Sequence, residues 1–320
     1  MSDTQDFRSV IPASIRKLGS GQELIPALAK DAKKVQLLRE AAQSIETKHT
    51  LVNQDSRTYE LPKNSIHLAL TSPPYWTLKQ YNDGPGQLGH VVDYEEFLNE
   101  IDKIWKNVFH GLVPGGRLIC VVGDVCLSRR KNAGEHTVIP LHASIQEHAR
   151  SIGFSNVAPI IWHKISNAQF EVSGGGGFLG KPYEPNGVIK NDIEYILMLR
   201  KPGGYRKPTM SARLLSLISE SEHKKWFQQI WTGVTGASTM NHPAPYPVEL
   251  AERLIRMFSF VGDTVYDPFM GSGTTNLTAA QCTRNSIGVE IDVKYYKDAL
   301  KRMKHKSSGL FDRLQLEQIA

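Results

Sequence analysis

The chain is short of what secreted, metal-held and membrane-spanning proteins rely on. It has three cysteines, Cys120, Cys126 and Cys282, in 320 residues. They show no metal-like spacing, so a reducing compartment and buried thiols are expected. No apolar run approaches the roughly 20 residues that cross a bilayer. The start, MSDTQDFRSV, lacks the basic-then-apolar pattern of a secretion signal. Together these absences point to the cytoplasm, with no membrane contact. No His/Cys/Asp cluster has ligand spacing, so no metal is expected, and the lone histidines His90, His110, His136 and His163 read as structural. There is no internal repeat. With 40% hydrophobic and 22% charged residues, the composition suits one large α/β domain, with or without a smaller insertion.

Charge imbalance is also missing from most of the chain. Between Leu127 and Thr232 there are 14 Lys and Arg against 8 Asp and Glu, whereas the remainder holds 24 of each. The net charge of +6 is therefore local, which suits a polyanionic partner.

Apolar positions recur every three or four residues across 22–46, predicting a helix. HTLVNQDS then reads as a strand ending on Asp55, and SIHLAL as another. YEEFLNEIDKIWKNVFHGL is an amphipathic helix stopped by VPGG. RLICVVGD is an apolar strand ending on Asp124, TVIPLHASIQEHARSIG a helix, and APIIWHK a strand. Strands and helices alternating at this spacing predict βαβ units and a mostly parallel sheet. The glycine-rich SNAQFEVSGGGGFLGKPYEPNG should be loop. DIEYILMLRK is strand-like, and 201–240 is irregular and basic. Regular order resumes with a helix at 247–259, then GDTVYDPFMGSGTTNLTAA as strand, turn and helix, then the strand SIGVEID. The expected division is an N-terminal helical extension (1–46), one half of the sheet domain (47–164), an insertion (165–240) and the other half (241–320).

Two stretches carry chemistry. In VYDPFMGSGTTNLTAA a strand runs into Asp267, and Gly271 and Gly273 flank Ser272 before a helix. Such glycines allow close backbone approach, and the helix N-terminus offers unpaired N–H groups. The lysine of a phosphate loop and the third glycine of a dinucleotide fingerprint are both missing. A nucleotide-like ligand without a demanding phosphate fits better. Glu290, at the next strand tip about twenty residues on, is placed to take both ribose hydroxyls. The second stretch is TSPPYW, residues 71–76. Proline removes N–H donors and fixes φ, so Pro73 and Pro74 leave rigid carbonyl acceptors. Ser72 adds a hydroxyl, and Tyr75 or Trp76 a flat face. An exocyclic amine on a planar base asks for such an array.

TSPPYW and DPFMGSGTT together resemble the two signature motifs of S-adenosylmethionine-dependent DNA amino-methyltransferases. Adenine-specific members typically carry Asp before the Pro-Pro pair, and the Ser72 version resembles the N4-cytosine enzymes of restriction–modification systems. LPKNSIHLALTSPPYW, APIIWHK, NDIEYILMLRK and HPAPYPVELAERLI (242–255) are similar to further family segments. The resemblance covers roughly 50–125, 155–200 and 240–300. It implies a seven-stranded, mostly parallel Rossmann-like methyltransferase sheet flanked by helices, with an inserted target-recognition region. Motif order resembles the permuted β group, in which strands from both chain halves share one sheet.

By that resemblance Phe269, Gly271, Gly273 and Thr274 cradle the cofactor S-adenosyl-L-methionine, with Glu290 on its ribose and Asp55 near its adenine. His242, Pro243 and Tyr246 lie near the methionine end, and Asp267 fixes the loop or meets the amino-acid part. Ser72, Pro73, Pro74 and Tyr75 form the catalytic set. Asp124 is a helper for the Ser72 hydroxyl, or a cap on the following turn. The substrate is double-stranded DNA with a flipped base. Its backbone would meet Arg129, Arg130, Lys131, Lys201, Arg206, Lys207 and Arg213. A restriction endonuclease is the implied functional partner, and a monomer or weak dimer the implied state. An N6-adenine enzyme, an RNA or protein-amine methyltransferase and a non-catalytic binding module are the competing readings.

Overall fold

The computed structural model describes residues 6–19, 21–77, 86–127, 132–164, 191–236, 246–310 and 313–319, without the side chains of 306–310. Its centre is a nine-stranded sheet. The strands are β1 (Thr47–Asn53), β2 (Ile66–Thr71), β3 (Leu112–Val122), β6 (Ser155–His163), β7 (Ile193–Arg200), β8 (Ile230–Trp231), β9 (Thr264–Asp267), β10 (Asn285–Glu290) and β11 (Leu314–Ile319). Their order is β11-β1-β10-β9-β2-β3-β7-β6-β8. Every neighbouring pair is parallel except those of β7, which runs against β3 and β6. A short hairpin pairs β4 (Val125–Leu127) with β5 (Thr137–Ile139).

The sheet is sealed on both faces, as its β-branched and leucine runs require. β2 is buried at all of its positions. Ala69 joins a core with Ile101 and Trp105 of the helix over Tyr94–Gly111. Leu68 and Leu70 join the opposite core with Leu250 and Leu254 of the helix over Val248–Phe258. β9 lies between β10 and β2, so strands from both ends of the chain share the middle of the sheet. Consequently Asp55, Ser72, Asp124, Asp267 and Glu290 all fall at carboxyl ends of strands along one edge, where open α/β sheets bind ligands.

Several expectations need correcting. The sheet has two strands more than the seven expected, and β11 and β8 form its edges. The helix expected over 22–46 is two, Leu24–Ala29 and Ala32–Ala42. Asp31 breaks it, because its carboxylate accepts from the backbone N–H groups of Lys33 and Lys34 and caps the second helix. The helix expected from Thr137 starts at Leu141, behind Pro140. The insertion drawn at 165–240 takes in β7, an interior strand. The irregular 201–240 also contains helices at Met210–Leu215 and Glu220–Trp226. The first of these packs with Ile15, Leu28 and Leu38, so the N-terminal helices close onto it.

At the amino end of β9, Asp263 is 1% exposed. It accepts from Arg206 Nη1 at 2.6 Å and Nη2 at 2.7 Å, and from the Phe260 N–H at 2.8 Å. Removing one member of a buried pair strands the other charge. Arg206→Met should therefore lower unfolding free energy by about 3 kcal/mol, measured by urea denaturation. Arg206 and its hydrogen bonds hold the Asp263 carboxyl below its usual range against burial. The loss should thus be full near neutral pH and shrink as pH falls through the carboxylate range.

Candidate active site

The strand tips are held by a buried carboxylate. Asp267 is 2% exposed and accepts from Thr71 Oγ1 at 2.7 Å and from the Phe269 N–H at 3.0 Å. The Thr275 hydroxyl also donates to it, and Tyr246 Oη meets that hydroxyl. Burial raises the Asp267 carboxyl to about 6 despite these donors. The side chain thus turns into the fold and staples β2, β9 and the helix over Thr274–Gln281. Tyr246, expected near the methionine end, is locked in the same network.

Beside this node opens a cleft. It brings together Asp55, Ser72, Pro74, Phe269, Gly271 and Glu290, with Ser56, Leu88, Ile291 and Tyr295 completing the wall. Glu290 Oε2 accepts from the Gly271 N–H at 2.7 Å, and Oε1 from the Asp292 N–H at 2.8 Å. Burial lifts its carboxyl to about 7. Each oxygen keeps a lone pair, so the residue can accept from a diol.

Gly273 and Thr274 do not line the cleft. Gly273 has φ +78°, and a Cβ there would approach Ala299 Cβ to 2.9 Å, so its glycine serves the helix contact behind the turn. Thr274 receives Arg302 Nη1 at 3.3 Å, as the same guanidinium grips the Ser272 carbonyl at 2.6 Å.

At the tip after β2, Ser72 and Pro74 face the cleft and Pro73 is buried. Ser72 Oγ lies 3.4 Å from Tyr75 Oη. Tyr75 is no exposed plate. It is 6% accessible, and its ring lies so close to Gly123 that a Cβ there would meet Cε2 at 3.3 Å. Trp76 packs edge-on against Tyr94 at 5.2 Å between ring centres. Asp124 is engaged by His142, at 2.6 Å from Nδ1 and 3.3 Å from the N–H. These contacts go to the start of the helix over Leu141–Ile152, 18 residues on, and are neither a cap on the following turn nor a contact to Ser72. His142 in turn stacks on Tyr195 at 3.7 Å.

The basic residues divide. Lys201 Nζ donates to the Leu112 carbonyl at 2.6 Å and to Asn64 Oδ1 at 3.2 Å, at the amino ends of the strands. Arg206 pairs with Asp263 at that same end, and Arg213 reaches the side-chain amide of Gln22. Lys201 and Arg206 are corrected to structural cations on the side away from the cleft, whereas Arg213 lies near the side-chain amide of the exposed Gln22 and Lys207 is itself exposed. Arg129, Arg130, Lys131, His242 and Pro243 lie outside the described residues.

The profile of the N6/N4 DNA methylase family matches residues 66–301. The chain belongs to this family. It is 36% identical to the type II methyltransferase M.MjaI of Methanocaldococcus jannaschii, over 78% of this chain and 88% of that one. It is 34% identical to M.MthZI of Methanothermobacter thermautotrophicus, over 81% and 77%. Among solved structures, a putative DNA modification methylase of Thermus thermophilus, determined with S-adenosyl-L-methionine, matches at 46% identity and TM-score 0.67, over 85% of this chain and all of that one. The cytosine-N4-specific PvuII DNA methyltransferase shares the fold at 18% identity and TM-score 0.56, over 86% and 98%.

The raised carboxyls of this methylase make a stability prediction. A folded-state pKa above the unfolded value means that the native state holds the extra proton, so stability falls as pH rises through the interval. Between about pH 6 and 7 that interval belongs mainly to Glu290. Glu290→Gln should flatten the pH dependence of unfolding free energy there by up to about one proton per chain, read by denaturation at a series of pH values.

Proposed function

We propose that this methylase transfers a methyl group from S-adenosyl-L-methionine to the N4 amine of a flipped cytosine in double-stranded DNA, as the modification partner of a restriction endonuclease. The observation that carries the reading is Ser72, a hydroxyl where a carboxylate would mark an adenine enzyme by resemblance, lining the same cleft as Asp55 and Glu290. The cleft fits the cofactor chemically. Glu290 retains acceptors for ribose hydroxyls, Asp55 presents a carboxylate for an exocyclic amine, and Phe269, Leu88 and Ile291 offer apolar contact to a purine. When bound, the cofactor supplies an electrophilic methyl group.

The chain's own contribution is positioning and electrostatics. The N4 lone pair of cytosine is delocalised into the ring. The carbonyl of Ser72 or Pro73 and the Ser72 hydroxyl accept the N4 hydrogens, which favours a more sp³-like nitrogen aimed at the methyl group. No strong base is required before transfer. The rigidity comes from proline, and the depth of the tip from the Thr71–Asp267 bond. With Lys201 and Arg206 committed elsewhere, phosphate contacts fall to Arg129, Arg130, Lys131, Lys207 and Arg213, and target recognition to the 165–240 insertion. The names of M.MjaI and M.MthZI support the restriction–modification setting.

Ser72→Ala should keep cofactor affinity within about twofold and lose about a hundredfold in turnover, the scale of one transition-state hydrogen-bonding group; single-turnover kinetics with labelled cofactor read both. The modified base is identified by digesting methylated DNA and weighing the nucleosides. N4-methylcytosine is expected, and N6-methyladenine alone would refute the reading.

A further inference from the structure

The guanidinium of Arg57 backs the cleft wall through Asp55 and Gly86, and neither the motifs nor the proposed chemistry uses it. It holds the carboxylate of Asp55, two residues earlier, along its whole edge. The Arg57 N–H donates to Asp55 Oδ1 at 2.9 Å, and Nε reaches Oδ1 at 3.0 Å and Oδ2 at 2.9 Å. Nη2 donates to Oδ2 at 2.5 Å. The same fork reaches two other elements. Nη1 donates to Glu100 Oε2, on the helix over Tyr94–Gly111, at 2.6 Å, and Nη2 to the Gly86 carbonyl at 3.1 Å. Gly86, in the cleft wall beside Asp55, has φ +82°, and a Cβ there would come within 2.9 Å of Ile291 Cδ1.

This geometry exceeds what a stabilising surface pair requires. A planar fork bound on both sides cannot swing, and neither can the carboxylate it grips. Glu100 is itself steadied by Lys103 Nζ at 2.5 Å. Asp55 therefore meets the cleft as a fixed acceptor that cannot turn away. A rigid acceptor favours an amine strongly and disfavours a carbonyl oxygen, which it repels. A carboxylate free to rotate would tolerate both.

We propose that Arg57 is a positioning residue that locks Asp55 as the acceptor for the 6-amino group of the cofactor's adenine, and so makes the cleft select a 6-amino over a 6-oxo purine. The inference rests on the adenine contact of Asp55 in the function proposed above. Arg57 also ties the Gly86–Leu88 wall to that contact, so loss of the fork loosens the purine subsite on two sides.

The test is calorimetric binding of S-adenosylhomocysteine and its 6-oxo counterpart, S-inosylhomocysteine, to the intact chain and to Arg57→Met, Arg57→Lys and Glu100→Gln. The unaltered protein should prefer the 6-amino ligand by about tenfold or more, the scale of one hydrogen bond to a charged acceptor. Arg57→Met should narrow the ratio to about twofold, and Arg57→Lys and Glu100→Gln should fall between. A purely structural arginine would weaken both ligands alike, so a wild-type ratio in Arg57→Met overturns the proposal. If that variant does not fold, a wild-type ratio in both milder variants overturns it equally. Failure of the unaltered protein to discriminate overturns the adenine contact of Asp55 itself, a different result from failure of the lock.

Discussion

One hydrogen bond between distant parts of the chain sets the geometry of everything around it. Thr71 ends the strand that leads into Ser72, and Asp267 ends the strand that leads into the glycine turn. Their side chains meet at 2.7 Å across 196 positions of sequence. The carboxylate also takes the Thr275 hydroxyl and the Phe269 N–H, so it fixes the strand tip, the turn and the following helix together. Burying a charged group is unfavourable unless its partners are complete, which explains both the raised carboxyl of Asp267 and the density of donors around it. A carboxylate with fewer donors would not hold two strand tips at a constant separation.

From that node the two walls of the cleft follow. On one side, Pro73 and Pro74 carry Ser72 outward on a backbone without N–H donors. On the other, Pro268, Phe269 and Gly271 lead to Glu290, whose carboxylate closes the turn through the Gly271 N–H. Asp55 completes the wall from the end of β1, gripped by Arg57. The cleft is thus walled by strands from both ends of the chain, which converge because β9 and β10 insert between β2 and β1. Membership of the DNA methylase family agrees with that convergence.

Strand ends were legible because apolar runs stop abruptly at polar residues. That signal placed Asp55, Ser72, Asp124, Asp267 and Glu290 along one edge, and the glycine turn added Phe269 and Gly271 to the cleft. The sequence does not reveal which way a tip residue points. Asp267 and Tyr246 turn inward because Thr71 and Thr275 wait there, and nothing in the local sequence announces those partners. Gly273 carries a pattern shared by ligand turns and tight helix packing, and Ala299, which decides between them, comes far later. Lys201 and Arg206 looked like phosphate ligands because charge counts ignore burial, whereas each satisfies carbonyls or a carboxylate at the amino ends of strands. Arg57 carried no motif at all. The edge strand β11 is not legible in the sequence because LQLEQI is short and its alternation breaks at Gln318.

The account turns on the claim that the Thr71–Asp267 bond serves the ligand cleft as well as the catalytic tip. Thr71 lies on the Ser72 strand and outside every cofactor motif. The direct measurement is the cofactor dissociation constant of Thr71→Val. Loss of one hydrogen bond to a buried carboxylate should raise it by about fivefold or more, because the glycine turn and Glu290 lose their anchor. An unchanged constant would contradict the account.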